Sequence, residues 1–66
     1  MEDNYTVIIN GKKSIVLATF EELEIFCNYI YVKTLEIRKT TRGELALMRL
    51  RKKDIPLFEN WKKDYK

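Results

Sequence analysis

The stretch Glu36–Lys53, EIRKTTRGELALMRLRKK, decides how the second half of this chain is read. It carries seven positive side chains: Arg38, Lys39, Arg42, Arg49, Arg51, Lys52 and Lys53. Extended back to Thr34, it reads as two short strands around a turn. A turn centred on Arg42-Gly43 pairs Leu35 with Leu50 and Ile37 with Met48 on one face. The other face then holds Thr34 with Arg51, Glu36 with Arg49 and Arg38 with Leu47. That register sets apolar against apolar and Glu36 against a cation. A four-residue loop, Thr41–Glu44, with Gly43 left-handed, closes it with less strain than a tight turn on Arg42.

Upstream, NYTVIINGKKSIVLA places Asn-Gly between two β-branched runs, a strong mark of a hairpin. A two-residue turn pairs Ile9 with Lys12; a three-residue turn with a bulge pairs Ile9 with Lys13. The second gathers Tyr5, Val7, Ile9, Ile15 and Leu17 on one face. It is the expected register, because register follows the hydrophobic face. TFEELEIFCNYI then opens a helix, with Thr19 and Glu22 spaced as a capping box. Phe20, Leu23, Phe26, Cys27 and Ile30 form its apolar stripe, with Ile25 and Tyr29 to the side. Asn28 as a left-handed cap, or a run on to Tyr31, would end it. In KKDIPLFENWKKDYK, Asp54 is the expected N-cap and Pro56 sits in the first turn of a short helix. Leu57, Phe58, Trp61 and Tyr65 make its stripe.

The expected fold is a single α+β domain spanning residues 1–66. Its order is hairpin, helix, hairpin, short helix (ββαββα), with one sheet and a helix across one face. The order of strands between the hairpins is open; parallel contact of the first and last strands would give a β-grasp. The opening YTVIINGK is similar to the first strands of immunoglobulin-binding β-grasp domains, and the rest of the chain does not follow that family.

A chain of 66 residues has room for one core, and a domain that size is marginally stable. Its hydrophobic share of 45% is enough for a folded globule. A single cysteine and no histidine rule out an internal disulfide and a zinc ligand set. Tight packing or self-association is left as the staple. No apolar run reaches the length of a membrane span, and MEDNYTVIING does not read as a signal peptide, so the cytoplasm is the expected location. Charge is lopsided. Residues 1–30 carry two lysines against five acids, net −3; residues 31–66 carry eleven lysines and arginines against five acids, net +6. Such asymmetry suits an acidic partner, and equally a solvated surface.

Catalysis is not expected. Histidine, the commonest general base, is missing. Cys27 lies on the helical stripe, where a buried thiol behaves as a small hydrophobe. Glu21, Glu22 and Glu24 are explained by the helix start. Both glycines, Gly11 and Gly43, sit in expected turns, so no phosphate loop exists. Nothing in the pattern points to a cofactor or a metal.

The surfaces that remain are binding surfaces. The basic face of the second hairpin offers Arg38, Arg42, Leu47, Arg49, Arg51, Lys52 and Lys53. Arginine mixed with leucine favours a protein interface over a phosphate track. The competing expectation is a two-stranded ribbon gripping nucleic acid in the major groove. Edge lysines and arginines also serve simply to block aggregation. A second patch combines Ile25, Tyr29 and Trp61. Trp and Tyr are favoured interface anchors, yet so small a domain can hardly spare its one Trp from the core. If the C-terminal helix docked on a second chain instead, a homodimer would result. The leading expectation is a small non-enzymatic protein-interaction module, an accessory regulator or inhibitor of the kind phages and mobile elements encode. Nucleic-acid binding is the alternative.

Overall fold

The computed structural model describes residues 2–65. β1 (Asp3–Ile9) and β2 (Lys12–Ala18) form the first hairpin, and α1 (Phe20–Cys27) follows. β3 (Leu35–Lys39) leads into α2 (Arg42–Leu50), and α3 (Phe58–Trp61) runs into a 3₁₀ turn at Lys62–Tyr65. The strands make one antiparallel sheet in the order β2-β1-β3. The chain is thus α+β with one sheet, as its pattern predicts, in the order ββαβαα.

The first turn is tighter than expected. Asn10 and Gly11 both have positive φ, 51° and 84°, and Ile9 pairs with Lys12, not Lys13. Two left-handed residues give a turn whose twist matches the strands. The case for the bulged register is that it gathers the apolar residues on one face. That reason falls away here, because the sheet is covered on both faces. Tyr5, Val7, Ile9, Val16 and Ala18 share the first face; Thr6, Ile8, Ile15 and Leu17 share the second.

On the first face, Val7, Ile9, Val16, Ala18, Leu23 and Trp61 form the core, flanked by Phe26, Ile37, Phe58 and Tyr65. α1 supplies Leu23 and Cys27 from its expected stripe, while Phe20 stays largely exposed against Tyr5. α1 closes at Asn28 in right-handed backbone, so neither expected exit occurs. Trp61 packs between Phe26 and Tyr65, and its indole Nε1–H donates to Ser14 Oγ at 3.0 Å. The C-terminal helix starts later than expected, with Leu57 as its N-cap. Asp54 and Pro56 lie in the extended segment before it. Pro56 C=O accepts from Leu17 N–H at 3.0 Å, and Leu57 bridges Leu17 in parallel, so this segment covers part of the outer edge of β2.

The second hairpin does not form. Its first strand is β3, but Thr41 onward is helix. Thr41 Oγ1 accepts from Glu44 N–H at 3.2 Å and Glu44 Oε1 accepts from Thr41 N–H at 3.0 Å, a complete capping box. β3 pairs with β1 instead, Ile37 opposite Val7 and Leu35 opposite Ile9. Leu35 and Leu50 are therefore not an apolar pair: Leu50 is 79% exposed and Leu35 42%. β1 and β3 run antiparallel, so the parallel contact of a β-grasp is absent among the described residues.

β3 is held at its start by the first turn. Asn10 Oδ1 accepts from Lys33 N–H and Thr34 N–H, at 2.6 and 3.2 Å, and Asn10 N–H donates to Thr34 C=O at 3.0 Å.

Candidate interaction surface

α2 lies over the second face of the sheet, and one carboxylate fixes it there. Glu44 Oε2 is 2.6 Å from Lys13 Nζ on β2. Its oxygens accept from Arg38 Nη1 and Nη2 on β3, at 2.7 and 3.1 Å. Thr6 Oγ1 on β1, fully buried, donates to Oε1 at 3.3 Å. A single side chain thus reaches a residue of every strand. The Arg38 guanidinium, then Lys13 and the Thr41 N–H, hold the Glu44 carboxyl well below the usual carboxylate range. The bidentate Arg–carboxylate fork adds direction as well as charge.

α2 ends in a Schellman-type motif. Lys52 N–H donates to Arg49 C=O and Lys53 N–H to Met48 C=O, with Lys52 left-handed at φ 53°. This throws Lys53 back toward the sheet. Between β2 and α2 lies a groove of about 240 Å³. Ile15, Leu47 and Met48 give it apolar walls; Lys13, Arg51 and Lys53 give it cations. Lys13 and Glu44 satisfy each other. Arg51 and Lys53 have no acidic partner among the described residues. Leu50, one helical turn beyond Leu47, does not line the groove and is exposed.

The residues expected on one basic ribbon are therefore divided. Leu47, Arg51 and Lys53 meet at the groove. Arg42, Arg49 and Lys52 are exposed on α2 and its cap. Arg38 is not a free contact residue, because Glu44 and Glu36 both engage it. The strand ribbon that was to enter a DNA groove does not exist; its second half is helix. In the second patch, Ile25 and Tyr29 are exposed at 57% and 83%, but Trp61, at 3%, belongs to the core. Lys13, Ser14 and Ile15 line the groove although the sequence pattern does not point to them. No local signal marks them, since only the arrival of α2 turns that strand into a wall.

Cys27 is buried, and desolvation pushes its thiol up. A buried protonated thiol is a poor nucleophile. No helix among the described residues is long and apolar enough to cross a membrane. Comparisons with protein-family models, with curated proteins and with solved structures give no match for this chain.

Proposed function

We propose that this protein acts by contact, as a protein-interaction module whose groove between β2 and α2 takes a partner segment. The occupant is a peptide segment presenting an apolar side chain flanked by carboxylates. The carrying observation is the pairing of apolar walls, Ile15, Leu47 and Met48, with the unsatisfied cations Arg51 and Lys53. Opposite charge steers such a segment in, and the apolar anchor holds it. Glu44 does not repel the incoming carboxylates, because Arg38 and Lys13 already neutralise it. An accessory regulator or inhibitor works in this way, by occupying a site on another protein.

Peptide display against the folded protein tests this. Enriched sequences should carry a large apolar residue beside Asp or Glu, and Leu47→Asp or Arg51→Glu should abolish their binding. A duplex DNA of mixed sequence is the competing probe. Tight DNA binding that collapses by roughly a thousandfold between about 50 and 200 mM salt, and that Leu47→Asp leaves intact, would replace the peptide reading with a phosphate one.

A further inference from the structure

The two edges of the sheet are treated differently. At β2, Leu17 N–H is satisfied by Pro56 and the chain runs alongside. At β3, no described residue pairs beyond the strand. Asn10 N–H bonds to Thr34 C=O and Thr40 N–H to Asn4 C=O, so the even-numbered residues of this stretch exchange bonds with β1. By alternation, the N–H and C=O groups of Leu35, Ile37 and Lys39 face the open edge.

We propose that this edge pairs with its own copy, making a two-fold homodimer with a continuous sheet across the junction. The occupant follows from the sequence of β3, Leu-Glu-Ile-Arg-Lys. An antiparallel two-fold pair centred on Ile37 sets Ile37 against Ile37 of the partner subunit. It sets Leu35 against Lys39 of the partner subunit, and both pairs have their peptide groups already aimed outward. Each such pair exchanges two N–H···O bonds. The same register sets Glu36 beside Arg38 of the partner subunit, and its symmetry mate repeats the contact; Arg38 keeps its own-chain partners Glu44 and Glu36, so the seam gathers alternating charges and not a new free pair. These are the closely spaced, non-hydrogen-bonded positions, where cross-strand charges interact most strongly. Any shift by two residues loses this match: with Leu35 on the axis, Glu36 faces Thr34, and with Lys39 on the axis, Arg38 faces Thr40.

Lysine on an edge is a common guard against pairing. Here Lys39 Nζ is drawn back over Asp3 at 3.3 Å, and in the two-fold register it meets leucine, not another lysine. α2 leaves β3 at Thr41 and crosses toward β2, where it lines the groove, so it does not cover this edge. The interface is isologous, as a two-fold contact requires.

Sedimentation equilibrium on the intact chain, with amide hydrogen exchange read residue by residue, tests the proposal. A dimer is expected, in which Leu35, Ile37 and Lys39 amides gain at least tenfold protection as concentration rises. Glu36 and Arg38 amides, already bonded to β1, should hardly change. Glu36→Lys, which sets a cation against Arg38 of the partner subunit and also takes its carboxylate from Arg38 on its own strand, should weaken the dimer at least tenfold. A monomer at every concentration overturns the proposal. So does a dimer whose Leu35, Ile37 and Lys39 amides stay unprotected, because another surface must then hold it. Peptide binding at the groove is unaffected by either result, so the two ideas fail separately.

Discussion

Thr19-Phe-Glu-Glu22 and Thr41-Arg-Gly-Glu44 are the same local device. In both, the threonine hydroxyl takes the N3 amide and the N3 glutamate takes the threonine amide, with distances of 3.0 to 3.2 Å. Their uses differ. Glu22 does nothing further that the structure records beyond its own cap. Glu44 also engages Lys13, Arg38 and Thr6, one on each strand. α1 is held to the sheet by buried apolar residues, Leu23 and Cys27, and α2 has no buried residue at all. One helix is held by the exclusion of water, the other by an ion cluster around a cap. The lesson is that a capping motif predicts where a helix begins, and not what anchors it.

The largest expected effect is on the α1 side. Leu23→Ala should cost about 3 kcal/mol in urea unfolding, because a fully buried leucine leaves both lost transfer energy and a cavity. Glu44→Ala should cost about 2 kcal/mol, since it removes the charged acceptor shared by half-buried Arg38 and buried Thr6, leaving them only Glu36 and Thr40. A cost no larger than that of Glu22→Ala, about 1 kcal/mol for a cap alone, would erase the distinction between the helices. Glu44 also sets the acid limb. Its carboxyl titrates below its ordinary value of 4.5 in the folded state, so its contribution is fully present above that pH. It is lost progressively as the pH falls below that value, and Glu44→Gln should flatten that part of the stability curve. Lys52→Gly should raise stability by about 1 kcal/mol, by relieving a left-handed lysine at the end of α2. The smallest effect expected is that of salt. Raising it to 1 M shortens the screening length to about 3 Å. That should loosen α2, seen as faster exchange of its amides, and leave α1 unchanged.

α1 was legible because its box precedes a stripe of large apolar residues at helical spacing. The box of α2 was present too, three residues apart as before, yet hidden. Gly43 and the paired threonines imitate a turn, and Leu45 and Leu47 alternate as in a strand. Glu36 also found a plausible cross-strand cation in Arg49. Local pattern could not choose between the two readings, because what favours the helix is tertiary. Glu44 needs Lys13 and Arg38 beneath it, and those come together only once β3 pairs with β1. The same holds for the groove. Leu47, Arg51 and Lys53 were singled out from the sequence, but the opposite wall, Lys13 to Ile15, has no meaning before α2 lies across it. Trp61 was ambiguous because a stripe of aromatics reads equally as core or anchor; the hydroxyl of Ser14, waiting under it, decides for core.

Asn10 bears on the order in which the molecule assembles. A hairpin closed over two residues needs only local chain closure, whereas β3 must return from more than twenty positions away. Its landing point, the Asn10 side-chain oxygen, has the right aim only after the corner has adopted its left-handed shape. Assembly is therefore expected to start at that corner and spread outward. A substitution of Asn10 should slow the recruitment of the third strand as well as the closing of the first two, so one amide would set the tempo for the whole sheet.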